Sequence, residues 1–271
     1  MNIYVYQTDN RPNLDFLKKT MFVNKYYSKL MNYKYIFQEM KVENNFHPAL
    51  YKIIMVDKLL EKINNGILIF LDSDAWIYNP FMLNKIIFNL PENKNGIFSR
   101  DPYVKKNTYI NSGSFIIRIN DYTKNMYKLL VRQCYEKKSI DWNKINHSFT
   151  EKEKGGPFDQ WYISNFIFEN KNDFIIYKPD IINTPFGKIL RHSWIKDFST
   201  CKIHKYHREL AIDKLYDNAG FPNIVINGYE FFEKKKINRL CKCGRSCSSN
   251  KKFCCFMCFT NNGHGPLCNR I

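Results

Sequence analysis

Five large apolar residues in a row, Ile67-Leu68-Ile69-Phe70-Leu71, end abruptly in Asp72-Ser73-Asp74. The run is too short for a helix, and its β-branched and aromatic side chains suit a strand. A strand with no polar alternation is buried on both faces, so it belongs inside a sheet covered by helices on either side. The flanking sequence alternates accordingly. Ile3–Tyr6 reads as a strand, followed by a polar turn with Thr8, Asn10, Arg11 and Pro12, a helix over 14–31 and an extended Tyr35–Phe37. His47-Pro48 opens another helix, with Pro48 at the first helical position. Its apolar stripe is Leu50, Ile53, Ile54, Val56, Leu59, Leu60 and Ile63, and Asn64-Asn65-Gly66 stops it. The expected class is α/β, a Rossmann-like sheet sandwiched by helices.

In open α/β sheets, ligands bind beyond the carboxyl ends of the strands. Asp72 and Asp74 stand at such an end and can turn toward one hard cation, for which oxygen ligands favour Mg²⁺ or Mn²⁺. An isolated Asp-x-Asp is also a common solvated loop or helix cap; the buried strand before it favours the ligand reading. Two more segments stand out. Asn111-Ser112-Gly113-Ser114 precedes the apolar Phe115–Ile119, and small residues around a glycine let a ligand approach the backbone. The plainer reading is a tight turn before a strand. Pro157 marks a helix start that puts Asp159 and Gln160 in the first turn, with Trp161, Ile163, Phe166 and Ile167 as its buried face. Taken alone, Asp159 would simply complement the helix dipole.

Composition divides the chain in two. The 271 residues carry 42 Lys+Arg and 25 Asp+Glu, a net charge of +17. Residues 234–271 hold nine Lys/Arg, no acid and seven of the nine Cys. We therefore expect a catalytic unit over 1–233 and a basic Cys/His-rich module over 234–271. Cys241, Cys243, Cys247, Cys254, Cys255, Cys258, His264 and Cys268 are enough for two tetrahedral Zn²⁺ sites, or one with spare thiols. Disulfides are the rival, and a reducing compartment favours zinc. The charge and the interleaved Phe253, Phe256 and Phe259 suit a protein or anionic partner, with nucleic acid as the alternative. No apolar run reaches the roughly 18 residues of a membrane span. The strand-like Met1–Tyr6 leaves no room for a secretion leader, so a soluble, cytoplasmic protein is expected.

In combination the motifs resemble the GT-A-fold glycosyltransferases, most closely the galactosyltransferase/xylosyltransferase group, glycosyltransferase family 34. Leu71-Asp72-Ser73-Asp74-Ala75 matches that family's D-S-D-A metal motif. Asn111-Ser112-Gly113-Ser114-Phe115-Ile116-Ile117-Arg118 is similar to its N-T-G-S-F-L-L-R block, and Asp159-Gln160 to the end of its D-D-Q motif, with Phe158 replacing the first Asp. His47-Pro48-Ala49-Leu50-Tyr51-Lys52 resembles its segment ending in a nucleotide-contacting lysine. The likeness runs in order through residues 1–200 and does not include the tail.

The resemblance implies a UDP-linked sugar donor, a glycan or protein acceptor, and retention of anomeric configuration. It implies Mn²⁺ or Mg²⁺ held by Asp72, Asp74 and His192, with His204 and His207 as the other nearby candidates. It also implies donor contacts at Thr8, Lys52, Ser73, Asn111, Ser112, Gly113 and Lys196, and catalytic roles for Asp159 and Gln160. If the enzyme inverts instead, Asp159 becomes the general base. The competing function classes are a nucleic-acid-binding zinc protein and a nucleotidyltransferase, which also sets paired carboxylates on metal.

Overall fold

The computed structural model describes residues 1–42, 47–102, 109–136, 158–185 and 187–194, together with the backbone at 239–240 and 246–247. The chain divides into two compact units, Met1–Arg208 and Glu209–Ile271. In the second unit the described backbone is one antiparallel pair, Arg239–Leu240 with Ser246–Cys247. Lys196, His204, His207, Cys241, Cys243, Cys254, Cys255, Cys258, His264 and Cys268 lie outside the described residues, as does the side chain of Cys247. Among the described residues, no helix is long and apolar enough to cross a membrane.

The first unit is built on a six-stranded sheet of β1 (Ile3–Asp9), β2 (Lys34–Glu39), β3 (Gly66–Leu71), β5 (Gly96–Arg100), β6 (Ile110–Ile119) and β7 (Phe174–Tyr177). Their spatial order is β2-β1-β3-β6-β5-β7. β1 runs parallel to β2 and β3, β6 runs antiparallel to β3 and β5, and β5 is parallel to β7. One reversed strand in a parallel frame has a direct consequence. The carboxyl ends of β1, β3 and β5 and the amino end of β6 all meet at one edge of the sheet.

Helices cover both faces. Val5, Ile67, Ile69 and Leu71 point to one side and pack with Leu83 and Ile87 of α3 (Pro80–Phe88), alongside Tyr27 of α1 (Asp15–Leu30). Tyr6, Leu68 and Phe70 point to the other side. There they meet α2 (Pro48–Lys62), α4 (Asp121–Glu136) and α5 (Asp159–Glu169). The alternation of strand side chains thus feeds two cores from one unbroken apolar run. Pro48 begins α2 as expected, and the His47 side chain accepts from the Ala49 N–H at 3.2 Å.

Two expectations are corrected. Asn111–Ser114 is neither a turn nor a loop before a strand: it lies inside β6, because pairing with β3 continues past the apolar run to Leu71↔Ser114. Trp161 is not on the buried face of α5; it is exposed, and Tyr162, Ile163, Ser164 and Ile167 turn inward instead.

A second, two-stranded sheet pairs β4 (Ala75–Ile77) with β8 (Leu190–His192), setting Ala75 opposite His192. The other edge of β4 is closed by a side chain. Asn24 of α1, fully buried, donates to the Ala75 carbonyl at 3.0 Å and accepts from the Ile77 N–H at 2.8 Å. Its carboxamide takes the place of a neighbouring strand. Asn24→Leu leaves two buried backbone groups without partners and should cost about 2–4 kcal/mol, measured by urea unfolding. Asn125→Ala, on an exposed position of α4, should stay within about 0.5 kcal/mol of wild type.

Candidate active site

Asp72 follows the last residue of β3, and its N–H donates to the Gly113 carbonyl at 2.7 Å, continuing the β3–β6 ladder by one step. The Gln7 side chain donates to the Asp72 carbonyl at 3.1 Å, and Thr20 to the Ser73 carbonyl at 2.6 Å. The backbone of the Asp-Ser-Asp turn is therefore fixed from β1, β6 and α1. Asp74 then enters β4, and the Ser193 N–H donates to the Asp74 carbonyl at 3.0 Å. This pairing carries His192 across more than a hundred residues of sequence to the acidic motif. Side-chain donor atoms of Asp72, Asp74 and His192 all lie within 4.8 Å of one another.

The hydrogen bonds of His192 decide which nitrogen faces the acids. Asn111 Oδ1 accepts from the Gly113 N–H at 3.0 Å, which fixes that atom as the oxygen of the carboxamide. His192 Nδ1 lies 3.1 Å from the same oxygen, so Nδ1 carries a proton and donates. Nε2 is then left 3.0 Å from Asp74 Oδ1 and 3.8 Å from Asp72 Oδ2. Between that nitrogen and two carboxylates a positive charge must stand, either a proton on Nε2 or a metal ion. Two carboxylate oxygens and an imidazole nitrogen form a donor set that fits Mn²⁺ or Mg²⁺.

Gly113 makes this seating possible. A Cβ there would lie 1.9 Å from His192 Cε1 and 2.1 Å from Nδ1. The glycine is needed so that the imidazole can lie against the strand.

Lys52 comes up from α2 and is nearly fully buried. Its Nζ stands 2.9 Å from Asp72 Oδ1, 2.6 Å from Asp159 Oδ2 and 3.4 Å from the Ser112 carbonyl. Burial alone would lower the proton affinity of this amine, but Asp159 and Asp72 outweigh it and hold the ammonium charged. Burial acts the other way on Asp72 and pushes its carboxyl up to about 6, against the pull of Lys52 and His192. Lys52 thus serves Asp72 and Asp159, while Asp74 faces His192 Nε2.

Asp159, at the first turn of α5, also accepts from Ser112 Oγ at 2.5 Å on the same Oδ2 that Lys52 holds. Gln160 donates to Asp101 Oδ2 at 2.9 Å, and Asn111 Nδ2 reaches the same oxygen at 3.2 Å. The structure thus brings Lys52, Asp72, Asp74, Asn111, Ser112, Gly113, Asp159, Gln160 and His192 into one connected cluster. Thr8 lies in β1, and its hydroxyl donates to the Gln38 carbonyl at 2.7 Å. Ser73 contributes the carbonyl bound by Thr20.

Three residues of this neighbourhood escaped the sequence reading. Asp101 follows β5 as Asp72 follows β3, and the same strand-end rule would have found it. Arg11 is clamped by the buried Asp9, with Nε 3.0 Å from Oδ1 and Nη2 3.0 Å from Oδ2. That hydrogen bonding, with Asp74 adding to the field, raises its proton affinity further. Asn183, fully buried, donates to the Asn111 carbonyl at 3.0 Å and accepts from Ser114 Oγ at 2.7 Å. No local pattern marks it.

No family model and no curated protein matches the chain. Solved structures do. The chain is similar to a glycosyltransferase involved in the glycosylation of the major capsid of PBCV-1, at 14% identity over 79% of this chain and 99% of that one, with a TM-score of 0.55. Other similar structures are the galactosyltransferase LgtC with donor and acceptor sugar analogs (10% identity, 86% and 99% coverage, TM-score 0.48) and mouse xyloside xylosyltransferase 1 (10%, 67% and 86%, 0.43). The first likeness shows the fold: the six-stranded sheet with its one reversed strand is the GT-A architecture.

Proposed function

We propose that this chain is a metal-dependent glycosyltransferase. It moves a hexose or pentose from a UDP-linked sugar to an acceptor hydroxyl on a glycan or protein, with retention of anomeric configuration. The observation that carries this reading is the Asp72–Asp74–His192 donor set at the carboxyl edge of β3, its ligand atoms within 4.8 Å of one another. A divalent ion bound by Asp72, Asp74 and His192 would supply charge neutralisation for the departing diphosphate.

The roles of the chain's own residues follow from their contacts. Lys52 bridges Asp72 and Asp159. Asp159 Oδ2 accepts from Lys52 and Ser112. The resemblance to retaining enzymes supports Asp159 as an electrostatic stabiliser of positive charge at the anomeric carbon, with the leaving phosphate as the proton acceptor. Gln160, with its amide anchored on Asp101, positions the donor sugar beside Asp159. For residues 234–271, the Cys/His spacing alone supports Zn²⁺ and a docking role toward a protein or anionic partner.

The direct test is Mn²⁺-dependent release of UDP from a panel of UDP-sugars. Release of inorganic pyrophosphate instead would identify a nucleotidyltransferase. In thermal unfolding, UDP with Mn²⁺ should raise the wild-type midpoint by about 5 °C or more. Asp74→Asn should lose the Mn²⁺-dependent part; a full wild-type response in that variant refutes the carboxylate assignment.

Two further outcomes follow from the site. Because a cation needs Asp72 ionised, Mn²⁺ affinity measured by calorimetry should be level above pH 7. Below about 6 it should fall about tenfold per pH unit. Stability of the metal-free protein moves the opposite way. A carboxyl that holds its proton more tightly folded than unfolded destabilises the neutral-pH protein, and that penalty fades as pH drops through about 6. Gly113→Ala should displace His192 and weaken Mn²⁺ binding about 10–100-fold, read in the same calorimeter.

A further inference from the structure

The residues that seat His192 converge on Asn183, a residue outside the acidic motif. His192 is held at two points. Its backbone N–H donates to the Thr184 carbonyl at 3.1 Å, and its Nδ1 donates to Asn111 Oδ1 at 3.1 Å. Asn183 belongs to both anchors. It is bonded covalently to Thr184, and its carboxamide reaches across to β6. There Nδ2 donates to the carbonyls of Asn111 and Ser114, while Oδ1 accepts from Ser114 Oγ at 2.7 Å. The carboxamide orientation is forced, since two backbone carbonyls can only accept. All of this happens at zero exposure and with a left-handed backbone, φ 69°. Among residues with side chains, Asn adopts that conformation more readily than most.

We propose that Asn183 is a positioning residue of the metal centre. By spanning the Asn111–Ser114 segment and the Thr184 carbonyl, it fixes the distance between the two anchors of His192. That distance keeps the proton on Nδ1 and turns Nε2 toward Asp72 and Asp74. Without the span, the Asn111 carboxamide keeps its bonds to Gly113 and Asp101 and β8 keeps its pairing with β4, but the direct tie between the two anchors is gone. The imidazole can then rotate or exchange its tautomer. The inference rests on the metal reading for its consequence, but the tautomer itself is a property of the metal-free protein.

Asn183→Gly tests it, because glycine keeps the left-handed backbone and removes only the carboxamide. Ser114→Ala is the milder companion, deleting one hydroxyl at the same contact. In ¹⁵N spectra of metal-free wild type, His192 should show a protonated, hydrogen-bonded Nδ1. In Asn183→Gly that signature should be lost, and Mn²⁺ affinity by calorimetry should fall about 10–100-fold. Ser114→Ala should fall between the two. If both variants keep the wild-type ¹⁵N pattern and Mn²⁺ affinity, the positioning role is wrong. Asp74→Asn separates the two ideas. Loss of Mn²⁺ binding there, with Asn183→Gly unaffected, sinks the positioning role and leaves the metal reading standing. Wild type that binds no Mn²⁺ but loses its Nδ1 signature in Asn183→Gly sinks the metal reading and keeps the positioning of His192.

Discussion

Dry negative charge at the carboxyl edge of the sheet is the constraint around which this unit is organised. Side-chain exposure is 27% at Asp72, 10% at Asp74 and 7% at Asp159, and the ammonium that serves them, Lys52, is itself 9% exposed. Charges this poorly hydrated are costly unless paired and hydrogen-bonded. Lys52 satisfies Asp72 and Asp159 together, and Ser112 adds a hydroxyl to Asp159. Asp74 faces His192 Nε2, the ring nitrogen turned away from Asn111. Asp72, Asp74 and His192 together form a donor set that could hold a divalent ion.

The fold assembles that cluster through strand direction. β3 and β5 deliver Asp72 and Asp101 at their carboxyl ends, and the reversed β6 delivers Asn111 and Ser112 from its amino end to the same edge. α2 and α5, packed on one face, supply Lys52 and Asp159. The opposite layer supplies position rather than charge: α1 offers Thr20 and Asn24 to hold the turn and β4 in place. β4 then recruits β8, and with it His192. Each group reaches the edge by a different element, so the site exists only when the whole unit is folded.

That dependence explains what could be read from the sequence. β3 and the Asp72–Asp74 pair were legible because burial on both faces demands a continuous apolar run, and a charge ending such a run has few structural excuses. Lys52, Asp159 and His192 were reached through ordered motifs, not through periodicity. The boundary of β6 was misplaced because Asn, Ser and Gly are weak strand formers, and only pairing with β3 makes them strand. Trp161 was misplaced because an aromatic was credited with burial that belongs to Tyr162, one position along the helix. Asn183 was invisible for a deeper reason. Its contacts are 69 and 72 residues away, and its value lies in a backbone angle and a carboxamide, neither of which leaves a pattern.

The GT-A likeness does not by itself determine chemistry, since one fold hosts many activities. What narrows the reading is the agreement between separate levels. Strand order puts the acids at the ligand-binding edge, hydrogen bonding turns His192 Nε2 toward them, and Gly113 leaves the space in which the imidazole lies. A salt-bridge network alone would not need the glycine, since a bulkier residue at position 113 would fill the space where His192 now lies. Together the three features are what the proposed metal site requires.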